Sequence, residues 1–271
     1  MKHFAASNYE GHGMRSLLAA LPTKRLMGLD LVDARLGEIV DILAARPAYA
    51  TFSYIVTPNA DHFVQLQRQS TALRDSYSAA GALLLDSRVV HRIACLLGLR
   101  APEVITGSDL TDSLFRSSIA IDEPVTLVGT TPDAAARLRQ TFGLSRLAHF
   151  APPFGFESDP EMVDRCARFV RDNPSRFVFL ACGSPRQELL AHHIRQCGEA
   201  TGVGLCIGSA IDQIGGLDRR APTWVRRRGL EWLWRVLRDP KRLGRRYLRD
   251  VAIIPALIAD RMLVEDPGEH R

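Results

Sequence analysis

VTLVGTTPDAAARLRQTFG, residues 125–143, reads as a strand, a turn and a helix in direct succession. Val125 to Thr130 is aliphatic and β-branched, which suits a buried, pleated strand. Thr131 can cap the next helix, because its hydroxyl can accept from an orphan N–H. Pro132 fits the first helical position, where a missing N–H costs nothing. The helix is expected to end near Phe142 and Gly143.

The same alternation continues in both directions. FSYIVT (52–57), ALLL (82–85), RLAHF (146–150), RFVFLAC (176–182) and GVGLCIG (202–208) read as strands. Helices are expected over 60–69, 88–97, 160–171 and from about Pro185. Strands separated by helices imply crossover units on a mostly parallel sheet, and such apolar strands suit a sheet covered on both faces. The expected fold class is therefore α/β, doubly wound, with helices on both faces and a C-terminal helical appendage. Residues 1–24 are weakly patterned and expected to be weakly ordered, 25–215 form the α/β domain, and 219–271 form the appendage.

Composition narrows the class. The chain has 271 residues, 46% of them apolar, and a formal charge of +5. This describes a globular chain rather than a disordered one. The charge is localised: residues 219–249 hold twelve Lys or Arg against Glu231 and Asp239, and the remainder is net acidic. Such a region implies a localised anionic partner. Cys95, Cys166, Cys182, Cys197 and Cys206 show no CxxC or zinc spacing, so reduced, buried thiols and a cytosolic compartment are expected. The N-terminus lacks the order of a secretory signal. No apolar run is long enough to span a bilayer, although VAIIPALIA (251–259) could lie against a surface.

In an open α/β sheet, ligands bind beyond the carboxyl ends of the strands, so the polar residues there are the site candidates. Thr57 and Asn59 in TPNAD can face an anionic or sugar ligand, or form a turn and helix cap. Asp86 ends LLLD as either a cap or a catalytic carboxylate; Ser87 can take the capping role instead. In VITGSDLTDSLF, Gly107 permits a tight turn, Ser108 or Asp109 can cap a helix, and the polar side could help form a sugar pocket. CGSPRQE places Gly183 and Ser184 at a helix start suited to phosphate, with Gln187 able to bond a base or ribose and Glu188 beside it. In GSAIDQIGG, Gly208, Gly215 and Gly216 bracket Asp212. Neither a phosphate-binding GxxxxGK[ST] loop nor the dinucleotide fingerprint is present, and HExxH and GxSxG are absent. Together these clusters indicate one cleft for a polar, phosphate-bearing ligand with an acidic residue at hand.

TPNADHF, LLLD, TGSDL, ACGSPRQE, GSAID and RAPTWVRRRGLEWLWRVLRDPKRLGRRYL occur in this order over roughly residues 26–249. In this the chain resembles the WecG/TagA/CpsF glycosyltransferases of bacterial surface-polysaccharide synthesis. The resemblance implies a Rossmann-like domain that moves a hexose or N-acetylhexosamine, with inversion, from a UDP-sugar to a polyprenyl-diphosphate-linked saccharide, as in exopolysaccharide biosynthesis. It implies no metal or other cofactor, and a peripheral location on the cytoplasmic face of the cell membrane. Asp86 takes the role of base, its pKa expected to be raised by burial, with Thr57 in the same catalytic set. Thr57, Asn59, Gly183, Ser184, Gln187 and Asp212 line the nucleotide-sugar pocket, and Arg235, Arg242, Arg245 and Arg246 supply cations that close over the diphosphate.

The chain departs from the family's pattern in two places. Ser87 follows Asp86 where the family has glycine, and Val104 precedes Ile105 where it usually has arginine. The second change removes a phosphate or acceptor contact, leaving open a different acceptor, replacement by Arg88 or Arg92, or weak activity. Two rival functions follow: a catalytically silent paralogue in a membrane complex, and a nucleic-acid grip built from the arginines and aromatics of the appendage. Against nucleic acid, Leu230, Leu233, Trp234 and Leu237 fall at helical spacing, as an apolar stripe for packing or a bilayer interface. The expected partners are thus the UDP-sugar, the lipid-linked acceptor and an anionic membrane surface, without nucleic acid, and with room for a homo-oligomer.

Overall fold

In a computed structural model of the chain, the described residues are Leu18, 21–68, 71–215, Val225, Arg228, Leu233, Trp234, Leu237 and 253–265. Most of the segment expected to be weakly ordered lies outside them, but Thr23 and Lys24 belong to a strand. Strands β1 (Thr23–Leu26) and β2 (Leu29–Val32) form an antiparallel hairpin. Its two turn residues, Met27 (φ 50) and Gly28 (φ 80), both have positive φ, as a twist-matched two-residue hairpin requires. The sequence reading missed this hairpin, because Met-Gly lacks the Asn-Gly or Asp-Gly signal.

The central sheet contains β3 (Ser53–Val56), β4 (Ala82–Leu83), β5 (Val125–Gly129), β6 (Leu147–Phe150), β7 (Phe177–Ala181) and β8 (Val203–Cys206). Its order is β4-β3-β8-β7-β5-β6, and every pairing is parallel. The ten helices named here are α1 (Leu36–Ala44), α2 (Ala60–Arg68), α3 (Thr71–Ser78), α4 (Arg88–Leu96), α5 (Gly107–Ser117), α6 (Pro132–Phe142), α7 (Pro160–Asp172), α8 (Arg186–Cys197), α9 (Ala210–Ile214) and α10 (Ile253–Glu265).

Residues 125–143 fold as their chemistry dictates. Thr131 caps α6 by accepting from the N–H of Ala134 at 3.2 Å, Pro132 opens the helix, and Gly143 closes it with φ 65. β4 is shorter than expected: Ala82 and Leu83 pair with β3, and Leu85 makes an isolated bridge to Val104.

The strand order explains where the helices lie. A parallel crossover is right-handed, so the direction of each step across the sheet selects a face. The steps β3 to β4, β6 to β7 and β7 to β8 run one way, and their helices α2, α3, α7 and α8 share one core. The steps β4 to β5 and β5 to β6 run the other way, and α5 and α6 share the second core with α1 and α9. Side chains along the strands alternate accordingly: Tyr54, Val178 and Leu180 enter the first core, Ile55, Phe177 and Phe179 the second. On β8, Gly204 leaves space that a side chain would fill, since a Cβ there would meet the Phe52 ring at 2.6 Å.

At the amino end of the sheet, Arg176 forks onto Glu123 with two 2.7 Å bonds and donates to the carbonyl of Ala44. This joins the start of β7 to the end of α1. At the other flank α10 packs against α4 and α2, with Ile253 and Leu257 buried. Its Asp260 accepts from the Met27 N–H at 2.8 Å and so fastens the hairpin turn. Ile254, Ile258 and Met262 of the same helix face outward. Among the described residues, no helix is long and apolar enough to cross a membrane. The five cysteines are unpaired, but the expectation of burial holds only for Cys166 and Cys206; Cys95 and Cys197 are exposed, because each lies on the outer face of its helix.

Candidate functional site

A crevice opens beyond a parallel sheet where neighbouring strands send their chains to opposite faces. Here β8 leads to α9 on the second face, whereas its neighbours β3 and β7 lead to α2 and α8 on the first. The exits of β7 and β5 diverge in the same way. The carboxyl ends of β3, β8, β7 and β5 therefore frame the candidate site, with β4 beside them.

Thr57 follows β3 and is 4% exposed; its hydroxyl donates to the Cys206 carbonyl at 3.0 Å. It thus joins the ends of β3 and β8. Gly107, the first residue of α5, fits against it: a Cβ there would lie 3.1 Å from the Thr57 oxygen. The Asn59 side chain accepts from the Asp61 N–H at 3.1 Å, as a cap at the start of α2.

Asp86 lies just beyond β4. Ser87 caps α4 by accepting from the Val90 N–H at 3.2 Å, so Asp86 is spared that role. Instead, the Asp86 Oδ2 accepts from the Gly107 N–H at 2.9 Å, at the amino end of α5. The cap of α5 is Thr106, not Ser108 or Asp109, because Thr106 Oγ1 accepts from the Asp109 N–H at 3.0 Å. Asp86 is half-buried, at the amino end of α5. Ser108 donates to Gln213 of α9 at 3.0 Å, which draws α5 and α9 together.

Gly183 and Ser184 form the turn between β7 and α8, where Gly183 has φ 74. Pro185 at the start of α8 provides no side-chain cap. Gln187 is 1% exposed and its amide is engaged on both sides. Its Oε1 accepts from the Gly208 N–H at 2.9 Å, and its Nε2 donates to Glu188 Oε1 at 2.8 Å. Gln187 thereby links the turn after β7 to the turn after β8. Asp212, on α9, accepts from the Thr130 hydroxyl at 2.5 Å, which adds the end of β5.

Thr130, Glu188 and the Phe154–Arg186 pair were not among the candidates from sequence. Thr130 has φ 55, a conformation that a β-branched residue avoids. The preceding Gly129 (φ 96) passes so close to β7 that a Cβ would meet the Ala181 carbonyl at 2.6 Å. Only the motif GSPRQE hinted at Glu188 and Arg186. Glu188 has no exposed surface, and burial pushes its carboxyl up to about 7. Arg186 lies over the exposed Phe154 ring, 4.7 Å from its centroid, at the rim beside Gly183.

Val104, at the family's arginine position, bridges Leu85, the residue before Asp86. Of the two candidate replacements, Arg88 lies 3.7 Å from Asp109 in the first turn of α5, and Arg92 donates to the carbonyl of Arg228. Gly216, Arg235, Arg242, Arg245 and Arg246 lie outside the described residues. Of the apolar stripe, Leu230 also lies outside; Trp234 is half-buried, while Leu233 and Leu237 are exposed. Among the described residues, no three His, Cys, Asp or Glu side chains are grouped to hold a metal ion.

Comparison with known proteins bears on this arrangement. An N-acetylglucosaminyldiphosphoundecaprenol N-acetyl-beta-D-mannosaminyltransferase of Bacillus spizizenii is 29% identical over 232 residues, covering 83% of this chain and 87% of that protein. The family model described as glycosyl transferase WecG/TagA/CpsF family matches residues 24–266, spanning the hairpin, the whole sheet and nearly all of the C-terminal region. The chain therefore belongs to the WecG/TagA/CpsF family of glycosyltransferases.

Proposed function

We propose that this glycosyltransferase moves a sugar, with inversion, from a UDP-sugar to a saccharide carried on a polyprenyl diphosphate, in bacterial exopolysaccharide or other surface-polysaccharide synthesis. The observation that carries the reading is Asp86, a half-buried carboxylate at the amino end of α5, bonded to Gly107, which itself fits against Thr57. The relative's name describes an N-acetylmannosaminyl transfer to a lipid diphosphate sugar, and N-acetylhexosamine donors are the first to test here.

In this reading Asp86 accepts the proton of the acceptor hydroxyl as its oxygen bonds to the anomeric carbon. The bond from that carbon to the UDP oxygen breaks on the opposite face, and its electron pair leaves with UDP. A positioned general base contributes about 10²–10⁴-fold. The charge growing on the diphosphate needs donors that are already in place. The positive amino end of α8 beside Gly183 and Ser184, which no side chain caps, is one source, and Arg235, Arg242, Arg245 and Arg246 are the proposed second. Thr57, Gln187 and Asp212 act chiefly by holding together the strand ends that form the pocket wall, with Asn59 at its edge.

The acceptor's lipid places the reaction at a membrane surface. Outward-facing Ile254, Ile258 and Met262, with Leu233 and Leu237, provide apolar contact near a strongly basic stretch. Apolar burial combined with attraction to anionic lipid suits peripheral binding. The testing experiment is a transfer assay with a panel of UDP-sugars and a short polyprenyl-diphospho-saccharide acceptor, comparing wild type with Asp86→Asn. The proposal expects UDP binding by both proteins and transfer by wild type alone. A silent paralogue would give no transfer with any donor.

A further inference from the structure

Glu188 is fully buried behind the turn after β7, and the proposed chemistry gives it no task. A buried carboxyl carries a desolvation cost, so its surroundings should show what it secures. Tyr54 of β3, Tyr77 of α3, Cys182 and Cys206 all face its charge. The Tyr54 hydroxyl and the Cys206 thiol donate to the Ser76 and Gln187 carbonyls instead. The Ser184 hydroxyl lies beside both Tyr77 and Glu188 and lowers the pKa of each. Even so, the Tyr77 hydroxyl, the Ser184 hydroxyl and Glu188 Oε2 are all buried without a well-aligned partner. The bond that is well formed is the one from Gln187 Nε2 to Glu188 Oε1, at 2.8 Å.

That bond determines which way round the Gln187 amide sits. An amide has a donor end and an acceptor end, and a carboxyl oxygen that carries no proton only accepts. Contact with Glu188 Oε1 therefore fixes the NH₂ group inward and turns Gln187 Oε1 toward the Gly208 N–H, 2.9 Å away. Were the amide reversed, its oxygen would face a carboxyl oxygen and its NH₂ would face the Gly208 N–H, a double mismatch. The Gly208 turn leads directly into α9, which carries Asp212 and, through it, Thr130. The arrangement survives protonation, because a proton on Oε2 leaves Oε1 an acceptor.

We propose that Glu188 is a positioning residue: it orients the Gln187 amide so that the turns after β7 and β8 are held in register along one wall of the candidate nucleotide-sugar pocket. This deepens the UDP-sugar reading and rests on it for the identity of the ligand. The fixed register itself is a property of the fold.

The test uses the full chain with Glu188→Met, Glu188→Gln, Gln187→Ala and the double variant Gln187→Ala/Glu188→Met. Met keeps the bulk and removes the acceptor; Gln keeps a carbonyl that can still accept from Gln187. Hydrogen exchange at the Gly208 amide is measured first, with Tm recorded to confirm folding. Exchange should quicken about tenfold or more in Glu188→Met and stay within about threefold of wild type in Glu188→Gln, a tenfold change being about 1.4 kcal/mol, within the range of one such hydrogen bond. UDP binding and donor KM follow. Glu188→Met should weaken both about tenfold alone yet add almost nothing in the Gln187→Ala background, the non-additivity of residues acting in series. Unchanged Gly208 exchange in Glu188→Met, or fully multiplicative effects of the two substitutions, would overturn the proposal. If exchange behaves as expected but wild type neither binds UDP nor transfers sugar, the functional reading fails and the positioning role stands. Should Glu188→Met not fold, a Glu188→Gln protein with Gly208 exchange as fast as in Gln187→Ala would overturn it as well.

Discussion

At Glu188, burial raises the carboxyl to about 7, from an ordinary value near 4.5. An acid whose pKa is raised on folding binds more protons folded than unfolded between those two values. Stability from this residue is therefore highest below about pH 4.5 and falls as pH rises toward about 7. The loss amounts to roughly 3 kcal/mol on the scale of 1.36 kcal/mol for each pKa unit. Glu188→Gln should remove it, so the difference in unfolding free energy between variant and wild type should shift in the variant's favour from pH 4.5 to pH 8. Denaturant titrations at both pH values check this. Asp86 makes a kinetic prediction instead: Asp86→Asn should lower kcat about 10²–10⁴-fold while isothermal titration shows UDP binding retained. Sequence reading offered Asp86 and Ser87 as alternative caps because both are polar residues closing an apolar strand, and Ser87 is the one that caps. It could not identify Thr130, whose positive φ depends on the approach of β7 and on an Asp212 partner 82 residues away.

Among the elements, the turn between β5 and α6 is the most constrained. Gly129→Ala should destabilise the fold by more than about 2 kcal/mol, through both a strained φ and a clash with the Ala181 carbonyl. It should also displace Thr130 and so raise the donor KM, whereas stability loss alone would leave KM unchanged. Arg176 at the opposite end of the sheet provides the contrast. Arg176→Ala leaves the part-buried Glu123 without its partner and should cost about 3 kcal/mol with donor KM unchanged. Thermal melts and steady-state kinetics on both variants separate the two ends. Elements with a self-contained signal were legible: Thr131, Pro132 and Gly143 bound α6 by their own chemistry. The β1–β2 hairpin was not, since its Met27 turn is fastened by Asp260 of α10, a contact no local window contains. Nor was the short β4, because Leu84 and Leu85 are as apolar as strand residues, yet beyond Leu83 only single bonds continue, from Leu84 to Val56 and Asp86 to Pro58, while Leu85 bridges Val104.

Over the whole molecule, handed crossovers place divergent chain exits on both sides of β8, and this is where the polar candidates from sequence gather. The parallel sheet was readable from alternating strands and helices, but its order was not, because β7 and β8 insert between β3 and β5. The appendage was legible as charge and apolar periodicity, yet Arg235, Arg242, Arg245 and Arg246 lie outside the described residues, so their contacts remain proposals. Peripheral attachment predicts co-sedimentation with phosphatidylglycerol-containing vesicles that weakens at high salt, and weaker binding to neutral vesicles. Replacing outward-facing Ile258 and Met262 of α10 by Ser should reduce that binding further without changing transfer to a detergent-solubilised short-chain acceptor. The central claim is sugar transfer with Asp86 as base. Its most direct measurement is product formation from a UDP-N-acetylhexosamine panel and a short polyprenyl-diphospho-saccharide, with the anomeric configuration read by NMR. The account predicts a product of inverted configuration from wild type and almost none from Asp86→Asn. Retained configuration, or near-wild-type turnover by Asp86→Asn, would contradict it.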